Sequence, residues 1–309
     1  MLWRPMLGLR SASVAERWLE LLDPTKDEIV EALPKGVDDR IVDVLAAKSG
    51  ERQRPWLEGH GDYVFAVLVA MAPIPEEDRI ESQEIDLVAT ADRLVVVRKT
   101  PPQGEPWHHR CLETAKDVGV GQLVFRVIDD VAQSYLEVVD SVDAEIDELE
   151  DNIDGWPSLR VRRRIADLRH DLIHARRTVG ATRGAVRRIR DRTLDLDDDT
   201  LFPDEVEREF AETYETLFRA GEELDVAREL LVSSRDYHQS RIAESQNEVA
   251  KKLTVIASLV LVPSFVVGFY GQNFVDQFDT GYWTIGVSAG LILVSTAIQL
   301  VIFRWRRWI

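Results

Sequence analysis

Leu253–Val275 reads LTVIASLVLVPSFVVGFYGQNFV, an uncharged run that closes on Phe269-Tyr270-Gly271-Gln272-Asn273-Phe274-Val275. A second uncharged run, Thr280–Phe303, follows almost at once. Each is long enough to cross a bilayer, since about 20 apolar residues at ~1.5 Å rise span the ~30 Å hydrocarbon core. The sequence before Lys251 holds no comparable run, so the pattern predicts a large soluble module on a C-terminal membrane hairpin. Flanking charge orients it. Lys251 and Lys252 precede the first run and Arg304, Arg306 and Arg307 follow the second, whereas the connecting loop carries only Asp276 and Asp279. Basic residues stay on the cytoplasmic side, which places both termini in the cytoplasm and the loop outside, in a multi-pass protein of the cytoplasmic (inner) membrane. Trp283 near the outer interface and Trp305 and Trp308 near the inner one suit aromatic anchors. Met1–Arg10 lacks the apolar core of a secretory signal, so the hairpin itself is expected to direct insertion.

The 309 residues leave room for one sizeable soluble domain, or two small ones, besides the hairpin. A net charge of −17 opposes a nucleic-acid partner. It suits a protein that handles or senses cations, and equally one that merely keeps a helical domain soluble. A single cysteine, Cys111, excludes an intramolecular disulfide and fits a reducing compartment. No phosphate-binding glycine loop and no nucleophile with a nearby base is present, so an enzyme is not expected.

The chain divides into a mixed α/β unit (1–120), a long helical region that includes a stalk helix (121–250), and the hairpin (251–309, spans about 253–270 and 282–303). In the first part Val14–Leu22 and Thr25–Leu33 have helical spacing, with Asp23-Pro24-Thr25 as a break and helix start. Tyr63–Val69 and Leu94–Val97 are β-branched apolar runs that predict buried strands, and Glu84–Val88 alternates as a half-exposed strand would. From Gly121 apolar residues recur at three- and four-residue steps, predicting a helix that ends near Gly155-Trp156-Pro157. An arginine-rich helix follows over Ser158–Arg192, and Pro203-Asp204 starts a third. That third helix meets no proline until Pro263; unbroken, roughly 65 residues would reach about 100 Å. The arginines resemble a nucleic-acid patch in composition, but the acidic stretches Asp143–Asp154 and Asp195–Glu209 offer them partners on neighbouring helices. His170 and His174 have the spacing of a transition-metal pair, yet without a third ligand nearby they read as a surface pair.

In the first span Asn247, Thr254, Leu261, Ser264, Gly268 and Gly271 can share one helix face. A stripe of small, weakly polar residues suits a narrow pore, and suits close helix packing in lipid as well. Two spans per chain cannot enclose a conduit, so a pore requires a symmetric ring of subunits.

The run Tyr270-Gly271-Gln272-Asn273-Phe274 resembles the Tyr-Gly-Met-Asn-Phe signature of the CorA family of divalent-cation channels, usually described as magnesium transporters. The resemblance extends over Asp23-Pro24-Thr25, Arg54-Pro55-Trp56-Leu57, Asp62–Phe65, Glu84–Leu87, Val138–Asp143, Asn247-Glu248-Val249, Lys252-Leu253-Thr254, Pro263 and the basic-aromatic C-terminus. It implies an α+β cytosolic domain (an α/β/α sandwich), long helices and a two-helix transmembrane hairpin, assembled as a funnel-shaped homopentamer. It further implies a selectivity filter of Gly271, Gln272 and Asn273, and a pore lined by Asn247, Leu253, Leu261, Ser264 and Gly268. Gly271 would permit a tight turn where the helix ends. Asn273 would offer a ring of amide oxygens to a hydrated ion, which suits magnesium because it gives up water reluctantly. Asp276 and Asp279 would raise local cation concentration, or simply solubilise the loop.

The implied partners are further copies of the chain, the lipid bilayer and divalent cations, with no nucleic acid. No cofactor is implied beyond Mg2+ as transported and regulatory ion, with Co2+ and Ni2+ as further cargo. Internal Mg2+ would bind between subunits and hold the closed state; Asp86, Glu212, Asp225 and Asp236 lie on suitable elements. Gln272 replaces the signature methionine, and the acidic loop of many relatives is missing. Both changes fall where the ion is chosen, so a ZntB-like transporter of zinc or another transition metal, or a non-conducting sensor or scaffold, are the alternative readings.

Overall fold

The computed structural model describes residues 17–48, 54–74, 79–101, 118–197, 199–273 and 281–308, with 272–273 and 281–284 described by their backbone. The chain forms two compact units, 1–234 and 235–309.

The first unit is built on a five-stranded sheet of order β1-β5-β4-β3-β2. Its strands are β1 (Trp18–Leu22), β2 (Trp56–Gly59), β3 (Tyr63–Ile74), β4 (Arg79–Thr90) and β5 (Leu94–Arg98). β1 and β5 run parallel, and the other neighbours are antiparallel. Side chains of a strand point alternately to opposite faces, and β3 uses both. Tyr63, Phe65 and Val67 join one core, beneath α1 (Lys26–Ala32) and α2 (Asp39–Ala46). Val64, Ala66, Leu68 and Ala70 join the other, beneath α3 (Val120–Asn152), with α4 (Ser158–Arg190) and the first part of α5 (Asp204–Asn273) continuing that core. The result is an α/β/α sandwich. Covering the sheet on both faces explains why β3 and β5 read as unbroken apolar runs.

Local chemistry sets the boundaries. Thr25 caps α1 through a capping box with Glu28, and Asp38 caps α2 through the Arg40 N–H. α3 is anchored at its start by close approach: a Cβ on Gly121 would stand 1.8 Å from the Leu201 carbonyl oxygen. At the centre Tyr135, fully buried, donates from Oη to the Val69 carbonyl (2.7 Å) and meets Thr182 Oγ1 at 2.9 Å, joining α3, β3 and α4.

Two sequence expectations are corrected. Within Val14–Leu22 the described part, Trp18–Leu22, is a strand and not a helix. Short apolar runs fit either period, and parallel pairing with Leu94–Arg98 decides for β. Glu84–Val88 is not half exposed, because every residue from Gln83 to Ala89 is buried. The alternating Glu84 and Asp86 face the α1–α2 layer rather than water, and both pair with Lys99.

Candidate ion pathway and sensing residues

The second unit consists of the remainder of α5, from Arg235, and α6 (Gly281–Trp305). Helix α5 passes Pro263 without a break, and each helix holds a segment long and apolar enough to cross a membrane. Burial divides α5 lengthwise. Val255, Ser258, Leu259, Val262, Pro263, Val266 and Tyr270 are buried or half-buried, at the spacing of one helix face. On α6, Ser288, Ile292, Ser295, Thr296, Gln299 and Phe303 form a matching half-buried row. Gln299 Nε2 donates to the Ser258 carbonyl at 3.4 Å between the two rows.

The predicted pore residues lie on the other side. Asn247, Leu253, Leu261, Ser264, Gly268 and Gly271 are all exposed in the single chain, as is Thr254. At 100° per residue Leu253, Leu261, Ser264, Gly268 and Gly271 turn away from the row that meets α6. Thr254 donates its hydroxyl to the Ala250 carbonyl and Ser264 to the Val260 carbonyl, both at 2.8 Å. With the proton directed back into the helix, the oxygen lone pairs remain available outward, the polarity a hydrated cation requires.

Gly271 keeps helical backbone and does not supply the expected turn, since α5 continues to Asn273. Its lack of a side chain leaves open space on the stripe instead. Gln272 and Asn273 form the end of α5; Asp276 and Asp279 lie outside the described residues.

Of the four carboxylates expected to sense internal Mg2+, Asp86, Glu212 and Asp225 lie in the first unit without being brought together, and Asp236 belongs to the second. Asp86 is wholly buried on β4. Asp225 pairs with Arg176 at 2.5 Å, and Glu212 and Asp236 stand exposed at separate turns of α5. Among the described residues of one chain no group of three or more His, Cys, Asp or Glu could hold a metal ion. Within a single chain this set therefore does not fit a regulatory metal. A different acidic meeting escaped the sequence reading: Asp140, Asp143 and Asp147 of α3 face Glu223 of α5. Partial burial and then those three neighbours push the Asp143 carboxyl above the usual carboxylate range. Their three- and four-residue steps in the sequence were the available signal.

Several arginines of α4 are engaged within the unit. Arg164 pairs with Glu145 at 2.9 Å, and Arg160 and Arg190 lie over Trp156 and Tyr214 at 3.9 and 4.0 Å. Just past α4, Arg192 pairs with Glu207 at 2.7 Å and also with Asp204. His174 Nε2 meets Ser82 Oγ at 3.1 Å, which ties one histidine of the His170–His174 pair to β4.

The sequence profile of the CorA-like Mg2+ transporter protein family matches residues 16–306, from just before β1 to the end of α6. The chain belongs to the CorA-like Mg2+ transporter family. It is 25% identical over 305 residues to the cobalt/magnesium transport protein CorA of Methanocaldococcus jannaschii, covering 94% of this chain and 91% of that one. To the cobalt/magnesium transport protein CorA of Thermotoga maritima it is 24% identical over 264 residues, 83% of this chain and 73% of the relative. The complete structure of the CorA magnesium transporter from Methanocaldococcus jannaschii superposes with a TM-score of 0.77 at 22% identity, covering 99% and 95% of the two chains. The CorA-like fold thus includes both apolar helices as well as the sandwich. The ZntB cytoplasmic domain from Vibrio parahaemolyticus shares the fold of the soluble part, with a TM-score of 0.56 at 14% identity over 74% of this chain.

Proposed function

We propose that the protein is a divalent-cation channel of the cytoplasmic membrane, with Mg2+ as its principal ion and Co2+ or Ni2+ as further cargo. The observation that carries this reading is the lengthwise division of α5. One face is occupied by α6, and the opposite face, with Leu261, Ser264, Gly268 and Gly271, is unpartnered in the single chain. A ring of copies, five by analogy with the family, would turn these exposed faces inward around a conduit. Two relatives are themselves cobalt/magnesium transport proteins, which supports the choice of ions.

In this assembly Asn273, with Gly271 and Gln272, forms the outer filter, and Asp276 and Asp279 concentrate cations at its mouth. Asn247, Leu253, Leu261, Ser264 and Gly268 line the path inward. Both termini lie in the cytoplasm. The three-part division at 120 and 250 assigns sensing to the sandwich, transmission to the long helices and conduction to the hairpin. Internal Mg2+ bridging carboxylates of neighbouring subunits, Glu212 and Asp236 being the exposed candidates, stabilises only the arrangement that brings them together and so holds the closed state. Transport is passive. Each elementary charge crossing 100 mV releases about 2.3 kcal/mol, hence about 4.6 kcal/mol for a divalent ion.

The test is uptake by purified protein in liposomes under an inward-negative potential. Asn273→Ala abolishes uptake while leaving the oligomer intact by cross-linking. Wild-type rates in that variant would remove Asn273 from the filter. The departure at Gln272 supports a second reading, transport of zinc or another transition metal. Competitive uptake of several metals by the wild-type protein separates the two.

A further inference from the structure

Beneath α2 the sheet carries a buried charge cluster that the ion pathway does not use. Register places Asp86 opposite Val67 and Val97, both in the core under α1 and α2, so Glu84 and Asp86 project to that same face. Lys99 follows two residues after Val97 and joins them. All three are removed from water, with relative exposures of 7% for Glu84, 0% for Asp86 and 1% for Lys99. Lys99 Nζ donates to Glu84 Oε1 at 2.5 Å and to the Val44 carbonyl at 2.9 Å. It lies 2.9 Å from Asp86 Oδ2 as an ion pair without hydrogen-bond alignment. Val44 belongs to the last turn of α2, the negative end of the helix, and its carbonyl also accepts from the Ala47 N–H at 3.2 Å.

One ammonium thus serves two carboxylates and a helix end. Other charges of the layer are directed elsewhere. Asp43 of α2 pairs with Lys26 of α1, and Asp38 with Arg40, both at the surface. Arg98 pairs with Glu20 on the opposite face of the sheet. We propose that Lys99 is the resident cation of Asp86: the Glu84–Lys99–Asp86 cluster is a latch that fastens α2 to the sheet, and Asp86 takes no divalent ion. Magnesium needs about six oxygen ligands and keeps several as water, whereas here a fixed ammonium already stands against both carboxylates in a site closed to solvent. Burial pulls the Lys99 ammonium down, but Asp86 and Glu84 outweigh it and leave the group raised and charged. The exposed carboxylates of α5, not Asp86, are then the ones free to meet an ion. The latch holds whichever metal crosses the membrane.

Two measurements on the full-length protein in nanodiscs test this. In hydrogen exchange read by mass spectrometry, Lys99→Met speeds exchange of residues 26–46 by about tenfold or more, because removing one partner leaves buried charge uncompensated. Unchanged exchange there overturns the latch. Should that variant not fold, Glu84→Met removes the acceptor of the 2.5 Å contact while retaining the Lys99–Asp86 pair. Faster exchange confined to 26–46 supports the latch and wild-type exchange overturns it. In the second measurement Mn2+ bound per chain is counted by electron paramagnetic resonance in wild type and Asp86→Asn. An equal count supports the assignment, and loss of one Mn2+ per chain makes Asp86 a metal ligand and overturns it.

Discussion

Asp86 shows how far a residue's sequence neighbourhood can mislead. The alternation of Glu84-Ile85-Asp86-Leu87-Val88 is that of a strand with one wet face. The structure covers that face with α2 and supplies a counter-charge from Lys99, a residue separated from Asp86 by a turn and a whole strand. No local signal announces such a pair, because it exists only once β4 and β5 are aligned. Burial pushes the Asp86 carboxyl up to about 7; Lys99 pulls it down only partly, and Glu84 adds to the rise. The folded value therefore lies above the ordinary value of 3.8. Stability from this group is fully present below that ordinary value and is lost as pH rises towards about 7. Between pH 5 and 6 the folded state retains a proton that the unfolded state has released, so the unfolding equilibrium shifts by about tenfold per pH unit. Denaturant unfolding of the first unit, followed from pH 5 to 8, reads this slope. Asp86→Asn flattens it, and a slope unchanged in the variant places the titrating group elsewhere.

At the scale of elements, periodicity describes the long helices well and the short elements poorly. The steps of Leu123, Val127, Val131, Val138 and Val142 describe the buried face of α3, and Pro203-Asp204 marks the start of α5. The small-residue stripe of α5 is equally legible, since helical geometry alone fixes which residues share a face. The face that meets α6 is not, because apolar residues run all round both spans and only packing distinguishes them. β1 reads as helix because it is too short for its period to be distinctive, whereas α2 buries Ile41 and Leu45 at a four-residue step. Close approach is another property without a sequence signature. Gly121 looks like an ordinary glycine at a helix start, but a Cβ there would stand 1.8 Å from the Leu201 carbonyl oxygen, a backbone atom that cannot rotate away. Gly121→Ala must displace α3 from the segment leading into α5. Overpacking of this kind costs about 1–3 kcal/mol, and thermal unfolding of Gly121→Ala against Gly119→Ala, where nothing lies within 4 Å, isolates it. Equal losses in the two variants would mean that the 1.8 Å approach is relieved without strain.

For the whole molecule the position to test is Gln272, which the resemblance sets against a methionine, in a chain that matches the family from before β1 to the end of α6. In the proposed ring of subunits a single substitution is repeated once per chain, so a ring of thioether side chains would become a ring of amides at one level. A thioether is a soft, weak acceptor, while an amide both donates and accepts hydrogen bonds. Mg2+ is a hard ion that retains water, and oxygen ligands suit it; the softer transition metals gain more from nitrogen and sulfur. If Asn273 selects by hydrogen-bonding the hydration shell, an amide ring one residue before it adds a second layer of the same chemistry. Gln272→Met would then remove that layer without altering the fold, since the change falls in the last helical residues of α5. Loss of one charge-assisted hydrogen bond to a hydrated ion is worth about 1.5–3 kcal/mol, so the apparent affinity for Mg2+ falls by roughly tenfold or more while Co2+ and Ni2+ uptake gains relative to it. Competitive uptake in liposomes with Mg2+, Co2+, Ni2+ and Zn2+ present together reads the shift directly. An unchanged order of preference in Gln272→Met would place selection at Asn273 alone, and a wild-type preference for Zn2+ would replace magnesium as the cargo.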